Sequence, residues 1–357
     1  MTRGGIVAKT ALRNARVFDG RGLTEPRTVV IDGTVLGADP AGAREIDAAG
    51  ATLLPGFIDS HVHLTEPAQL AALAAWGVTT GLDMACFPAS RVAALRSAGP
   101  ADFRSAGTPA IGPGGMHVRI PGMPASAIVT TADAAVRFVE ERVAEGVDYV
   151  KGVAEAPGDG GPPAEALQAL VDAARVRGLD TVLHAATPGA YHLAVATGAR
   201  FVTHVPVVGR IAAEDVAAMK TAGQTAIPTL TMMEAALPYF AGAAGDFVAN
   251  VAALRAAGVE ILAGTDSNAE SGAPAEVPHG SSLHREFELL AEAGLTTVEI
   301  LRAATVDAAQ AFGLTDRGEI RLGLRADLVL VEGDPVADLA ATRAIRAVWC
   351  AGTEISR

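Results

Sequence analysis

The chain has 357 residues, half of them hydrophobic, and a formal net charge of −12. This length allows a large core, and the acidic charge argues against nucleic acid and anionic membranes as partners, because both would repel it. Cys86 and Cys350 match no pairing motif, no apolar segment reaches 18 residues and the N-terminus lacks a signal-peptide core, so we expect a cytoplasmic protein without disulfides or membrane spans.

Both ends of the chain carry the alternating pattern of β-strands. The N-terminal part contains ALRNARVFDG and RTVVIDGTVLG, with Gly and Asp-Gly turns between them. The C-terminal part contains GEIRLGLRADLVLVEGD and AIRAVWCAGTEI. Because neither end has a core of its own, we predict that residues 1–52 and 316–357 pair into one small β-sandwich domain.

Residues 53–315 follow a different pattern, in which short apolar strands alternate with Ala-rich amphipathic helices. This alternation predicts a parallel sheet, and eight such units in about 250 residues are typical of an α/β fold of the (β/α)8 TIM barrel type. The alternative, an open doubly wound sheet, would need a Gly-rich phosphate loop after its first strand, and the sequence has none. The predicted strands are residues 53–63, 79–85, 109–112, 147–153, 181–185, 201–205, 225–229 and 261–265. The predicted helices include residues 68–76, 132–145, 164–177, 214–222 and 282–293.

Polar side chains stand where the predicted barrel strands end. His61 and His63 close the first strand, and residues i and i+2 of a strand face the same side. The fourth, fifth, sixth and eighth strands end in Lys151, His184, His204 and Asp266. The C-terminal ends of barrel strands open onto one face, so we predict that these six side chains meet there. Any one of them alone would more often be structural, but the whole set is hard to explain by packing.

Lys151 follows the apolar run VDYV, where burial would lower its pKa and leave the amine neutral. A neutral amine reacts with carbon dioxide to give a carbamate, an oxygen-donor anion that can bridge two metal ions. The alternatives are an ion pair with Asp148, Glu155 or Asp159, or an amine that reaches solvent. We favour the carbamate.

The sequence resembles the amidohydrolase superfamily over nearly its whole length. PGFIDSHVH is similar to the entry strand of that superfamily, and GLRADLVLVEGDP to its closing strands. The order HxH, Lys, His, His, Asp is that of its binuclear members with a carboxylated lysine. VDYVKG, VTHVP, GTDSN and PHGSSLHREFELLAEAGLTTVEILRAAT are most similar to imidazolonepropionase-like and prolidase-like amidohydrolases.

The resemblance implies a role for each of the six residues. His61, His63 and Asp266 would hold the buried metal, Lys151 would bridge, and His184 and His204 would hold the outer metal. Zinc suits imidazole and carboxylate ligands best, with manganese, iron and cobalt as alternatives. Two such ions would activate a hydroxide, and Asp266 would take its proton and pass it to the leaving group.

We therefore expect hydrolysis of an amide-type C–N bond in a cyclic amide, an N-acyl amino acid or a dipeptide. Ester, lactone or organophosphate hydrolysis on the same site is one alternative. A mononuclear deaminase or deacetylase is another, although superfamily deaminases carry a Glu shortly after the fifth-strand His, where this chain has Ala185, Ala186 and Thr187. A non-catalytic scaffold would have no need of six buried polar groups.

Two long loops, residues 114–128 and 266–281, follow the third and eighth predicted strands, where lids and binding loops are found. They carry His117, Arg119 and His279, and Tyr191 begins the helix after the fifth strand. These four are our candidates for substrate binding, and the alternative for the loop residues is a solvated loop. Arg119 would suit an anionic group. A homo-oligomer is the general expectation for a soluble enzyme.

Overall fold

The computed structural model describes residues 9–240, 245–269, 273 and 275–356. Residues 1–8 of the predicted terminal domain, with its last residue 357, and residues 270–272 and 274 of the predicted eighth loop lie outside these ranges. Within the described ranges the chain forms sixteen strands, which are β1 Thr10–Val17, β2 Arg27–Asp32, β3 Val35–Gly37, β4 Arg44–Asp47, β5 Thr52–Pro55, β6 Phe57–Val62, β7 Val78–Asp83, β8 Asp102–Ser105, β9 Val150–Val153, β10 Thr181–His184, β11 Phe201–Thr203, β12 Thr225–Ile227, β13 Glu260–Ile261, β14 Leu328–Val331, β15 Ile345–Cys350 and β16 Thr353–Glu354.

The two ends of the chain pair with each other, as the alternating patterns predicted. Strand β14 runs antiparallel to β5, and the sheet continues through β15 and β16 on one side and through β1, β2 and β3 on the other. A bulge at Asn14, whose φ is 56°, divides β1 so that its first half pairs with β2 and β4 and its second half with β5. Bulges bend strands in this way, and here β1 carries the chain from one layer to the other. The boundaries of this domain stay a prediction.

The eight strands from β6 to β13 form the barrel. They run parallel in two arcs, β6 to β8 and β9 to β13. Backbone hydrogen bonds join the arcs at both edges: Asp148 N donates to Ser105 O at 2.9 Å, and Asp266 N donates to His61 O at 2.8 Å. These hydrogen bonds link the two arcs at both edges, as a barrel requires, and the predicted α/β fold of the (β/α)8 type is confirmed.

Two predicted strands were wrong in detail. Residues 53–63 are two strands, because the chain turns at Gly56 from the terminal sheet into the barrel. A Cβ atom at Gly56 would lie 2.2 Å from Thr79 Oγ1, so this close approach requires glycine. The third barrel strand is β8 rather than residues 109–112, which instead bridge to β9 and to Ile128.

Helices surround the barrel. The described ranges contain eleven, which are α1 Pro67–Ala75, α2 Ala89–Leu95, α3 Ala132–Glu145, α4 Ala164–Val176, α5 Pro188–Ala196, α6 Ala213–Ala222, α7 Leu230–Ala236, α8 Phe247–Ala256, α9 Ser281–Glu292, α10 Thr297–Ala303 and α11 Val306–Ala311. Local signals set their ends: the Thr131 side chain accepts from Ala134 N at the start of α3, and left-handed Gly146 ends it. Among the helices so described, none has both the length and the apolar composition needed to cross a bilayer.

Apolar side chains from several of the strands fill the lower end of the barrel. Ile58, Leu82, Val182 and Ile227 belong to this cluster. Phe312, which follows α11, stacks on Phe201 with ring centroids 4.2 Å apart. Burying one such side chain contributes roughly 2 kcal/mol, so this end supplies stability and leaves the opposite end, the mouth, to polar residues.

Candidate metal centre

Two histidines and an aspartate meet at the mouth, where the first and last barrel strands pair. His61 lies on β6, His63 comes directly after it, and Asp266 follows β13. Asp266 Oδ1 lies 3.3 Å from His61 Nε2 and 2.9 Å from His63 Nε2, and the two Nε2 atoms are 3.4 Å apart. The three donor atoms fall within 4.8 Å of one another. Nitrogen and oxygen donors at this spacing can share one metal ion.

Further histidines line the mouth beside this cluster. The His204 ring lies 4.9 Å from that of His61, and His204 Nδ1 is 3.8 Å from Asp266 Oδ2. The His184 ring lies 4.2 Å from that of His204, and the His117 ring 4.7 Å from that of His184. The structure therefore brings together the predicted ligands from four strands.

The backbone is strained at the mouth. His204, Thr229 and Asp266 have φ angles of 69°, 51° and 59°, in the left-handed region that non-glycine residues seldom adopt. Each such residue costs on the order of 1 kcal/mol. Two of the three are predicted ligands and the third contacts one, so the strain is concentrated where the side chains must be aimed.

Threonine hydroxyls fix two of the imidazoles. Thr203 Oγ1 lies 2.6 Å from His61 Nδ1, and Thr229 Oγ1 lies 2.8 Å from His204 Nδ1. A hydrogen bond at one ring nitrogen selects the tautomer and leaves the other nitrogen as a metal donor. In both residues the nitrogen left for a metal is Nε2. The sequence analysis missed both threonines, although each lies at a strand end beside or near a candidate ligand.

Lys151 is 4 % exposed, on β9. Its Nζ has no hydrogen-bond partner in the part of the chain that the structure describes. Burial lowers the pKa of Lys151 to about 7, against the opposing attraction of Asp266 and Asp83. Asp148 pairs instead with Arg96 and Arg104. Burying an amine without a hydrogen-bond partner costs free energy. Conversion of the amine to a carbamate, or a bound ligand beside it, would lower that cost.

The charges at the mouth suit a cation. Burial lowers the pKa of His61 to about 3 and those of His184 and His204 well below their usual value, so these rings are neutral. Burial alone would raise the pKa of Asp266, but the facing His61 and His63 outweigh it and keep the carboxylate ionised. Metal binding requires neutral imidazoles and an ionised carboxylate. The donor set and the partnerless Lys151 therefore fit a divalent metal.

Asp59 holds the first and last barrel strands in place, and the sequence analysis missed it. Its carboxylate accepts from Thr265 N and Oγ1 at 3.0 and 2.7 Å and from His61 N at 3.2 Å. It thus ties the residue next to Asp266 to the strand that carries His61. Burial raises the pKa of Asp59 to about 7. An acid inside the apolar run GFIDSHV was the signal that could have identified it.

The four substrate-binding candidates lie in different surroundings. His117 is a quarter exposed and its ring contacts His184 at the mouth, whereas Arg119 is exposed on the same loop. His279 Nε2 lies 2.9 Å from His63 O. Tyr191 is completely buried among apolar side chains, and its hydroxyl meets no hydrogen-bond partner within the described ranges. The geometry thus favours His117 over Tyr191 for contact with a substrate.

Glu155 is a further residue that the sequence analysis did not propose for the mouth. Its Oε1 accepts from Met116 N at 3.1 Å and lies 3.8 Å from His117 Nδ1. A Cβ atom at Gly115 would lie 2.1 Å from Glu155 Oε2, so the present position of the Glu155 carboxyl group is compatible with glycine at 115. Glu155 therefore holds the loop that carries His117 against the end of β9.

Comparison with known proteins identifies related sequences and folds. The sequence model of the amidohydrolase family matches residues 52–355. The imidazolonepropionase of Deinococcus deserti is 34% identical over 197 residues, which is 54% of this chain and 45% of that protein. The chain thus spans about half the length of this curated relative.

Solved structures share the fold along the whole chain. A Xaa-Pro dipeptidase with methionine in its active site has a TM-score of 0.82 at 20% identity, covering 98% of this chain and 100% of that one. A prolidase solved with N-methylphosphonate-L-proline has a TM-score of 0.79 at 25% identity, with the same coverage. The match at 20% identity carries information on the fold alone.

Proposed function

The chain belongs to the amidohydrolase family, and on that basis we propose that it is a metal-dependent hydrolase that cleaves an amide-type C–N bond of a small molecule. The observation that carries the proposal is the cluster of His61, His63 and Asp266 at the barrel mouth. His61 is neutral and Asp266 is ionised, as metal ligands are. Imidazole and carboxylate donors favour zinc.

A second group of donors would complete a binuclear centre. His184 and His204 would hold the outer ion, and Lys151 would bridge both ions as a carbamate. The neutral Lys151 amine would add to the carbon of carbon dioxide. One N–C bond forms while one C–O π bond opens onto oxygen, and the nitrogen loses one proton to solvent, which gives an anionic oxygen donor. The lowered pKa of Lys151 and its partnerless Nζ support this assignment.

Asp266 would accept and deliver the proton of the reaction. A bound divalent metal lowers the pKa of water and polarises a carbonyl oxygen. Asp266 is ionised, and its Oδ2 is not the oxygen that faces the two histidine Nε2 atoms. Oδ2 would accept the proton of the attacking water and deliver it to the leaving nitrogen.

The substrate would be a dipeptide, an N-acyl amino acid or a cyclic amide. The relatives suggest these classes. The chain is similar in sequence to an imidazolonepropionase, and in structure to a Xaa-Pro dipeptidase and a prolidase. His117, beside His184, would contact the substrate. We place the reaction in the cytoplasm, since both cysteines are buried and unpaired.

A mononuclear deaminase or deacetylase is the second candidate. It is favoured by the fact that only His61, His63 and Asp266, among the residues described, meet the spacing for one ion. The number of metals bound separates the two candidates.

Elemental analysis of protein purified without added metal or chelator tests both candidates, together with intact mass for the carbamate. We expect about two metals per chain, and depletion in Lys151→Ala. One metal per chain would favour the mononuclear candidate. No metal even after supplementation would contradict both. A panel of dipeptides, N-acyl amino acids, cyclic amides, lactones and phosphotriesters then identifies the bond that is cleaved.

A further inference from the structure

The first turn of α7 is capped in an unusual way. Thr229 occupies the N-cap position, where a threonine hydroxyl ordinarily accepts from the first free N–H groups of its own helix. Here Thr229 is left-handed and makes no such bond. Its hydroxyl instead lies 2.8 Å from His204 Nδ1. The hydroxyl of the N-cap residue therefore contacts the imidazole of His204 and does not cap its own helix.

A carboxylate from another helix takes over the capping. Glu286 lies on α9, fully buried, and its Oε1 accepts from Leu230 N at 3.0 Å. Its Oε2 accepts from Thr231 N at 2.8 Å and from Thr231 Oγ1 at 2.9 Å. Both oxygens are thus occupied by donors of the first turn of α7. Burial of a carboxyl group is costly unless it is bonded in this way.

The contact between Thr229 and His204 depends on the capping of α7 by Glu286. Without Glu286, two N–H groups in a buried turn would have no acceptor, and buried donors without an acceptor are destabilising. Thr229 is the N-cap residue of this turn, and the turn could recover an acceptor by drawing the Thr229 hydroxyl away from His204. His204 would then lose the partner that holds its Nδ1 and leaves Nε2 as the metal donor.

We infer that Glu286 is a positioning residue for the His204 imidazole, acting through the first turn of α7 and the Thr229 hydroxyl. The inference rests on the proposed function, in which His204 binds the outer metal. Within the described ranges, the hydrogen bonds of Glu286 go to Leu230 and Thr231 and to none of the proposed metal ligands. Its effect is on the orientation and tautomer of one ligand.

A double-mutant cycle distinguishes this role from simple stabilisation of the helix pair. The variants are Glu286→Gln, Thr229→Val and the pair together, with Glu292→Gln as the control, because Glu292 is exposed on the same helix and pairs with Arg285. Affinity for Zn²⁺ is measured by competition with a chelator. The His204 ring resonances are followed in metal-free protein labelled with ¹⁵N-histidine and assigned with His204→Asn.

We expect each single variant to weaken, by about ten- to a hundredfold, the Zn²⁺ site that His204→Asn abolishes. The pair should be no weaker than the worse single variant, since both act through one link. Both variants should shift the His204 resonance, and Glu292→Gln should leave affinity and resonance unchanged. If Glu286→Gln fails to fold, Thr231→Val, which removes one donor to Glu286, takes its place with a smaller expected loss.

A lower melting temperature in Glu286→Gln with unchanged Zn²⁺ affinity and an unchanged His204 resonance would overturn the inference, because Glu286 would then only join α7 to α9. If His204→Asn itself left Zn²⁺ binding unchanged, the ligand assignment would fail, and the inference with it. The two failures are distinguishable because the first requires that His204→Asn weakens binding.

Discussion

The metal-free protein should become more stable when the buried amine of Lys151 is replaced by an apolar side chain of similar length. Lys151 is 4 % exposed and burial lowers its pKa from 10.5 to about 7. One pKa unit corresponds to about 1.4 kcal/mol. At pH 7 the unfolded chain keeps the lysine protonated, so burial costs up to about 4 kcal/mol at that pH. Lys151→Met removes this cost, and we expect its free energy of unfolding to rise by up to about 4 kcal/mol.

The stability gained by Lys151→Met should decrease as the pH rises. A lysine with a lowered pKa in the folded state binds fewer protons there than in the unfolded chain between pH 7 and 10.5. Stability therefore rises with pH across this window. The advantage of Lys151→Met should shrink by about 1.4 kcal/mol per unit and vanish near the upper end. Comparison with wild type cancels the groups whose titration the two proteins share.

Urea unfolding of chelator-treated protein in buffers free of carbon dioxide, at several pH values from 7 to 10, measures this difference. A constant difference across the window would refute the interpretation, because Lys151 would then titrate normally. The same variant should lose the second metal. Lys151 would thus lower the stability of the metal-free protein and help to bind the metals. Functional sites often reduce stability in this way.

Three further predictions concern the catalytic proton and the two junctions of the fold. Asp266→Asn should retain the fold by circular dichroism but abolish turnover in a substrate assay, and turnover near the wild-type rate would exclude Asp266 as the proton carrier. Arg317→Met should cost about 3 kcal/mol in thermal unfolding, because the buried guanidinium donates to Asp102 and to Thr80 at 2.7 and 2.9 Å; an unchanged melting temperature would contradict this. Gly56→Ala should cost about 1–3 kcal/mol through its clash with Thr79, whereas Gly22→Ala, with open space around it, should be nearly neutral.

The predicted ligands follow from topology alone. Parallel barrel strands bring their C-terminal ends to one face. A polar residue that follows an apolar run can therefore be placed at that face from the sequence. His61, His204 and Asp266 lie at that face, each at the end of a mainly apolar run. The carbamate and the second metal stay predictions, because neither follows from the positions of side chains.

Other features had no local signal. Strand β8 carries Asp102 and Arg104, which form ion pairs at the lower end of the barrel, and so it lacks the apolar run that marked the others. The turn at Gly56 lies within a continuous apolar stretch, where only the proximity of Thr79 reveals it. Tyr191 stands near the start of the helix after the fifth strand, which suggested the mouth, but its side chain is buried in the core. Each depends on a contact between residues distant in sequence.

The residues that orient the ligands belong to strands other than those that carry them. Thr203 on β11 holds His61 of β6, and Thr229 after β12 holds His204 of β11. Two strand ends thus support a ligand of another strand, and Glu286 extends this relation to a helix outside the barrel. Such links cannot be found from strand order, but one pattern does point to Glu286: it stands in the apolar stripe of α9 with Leu283 and Leu290. An acid in a buried stripe needs donors, and the first turn of a neighbouring helix is where unpaired donors occur.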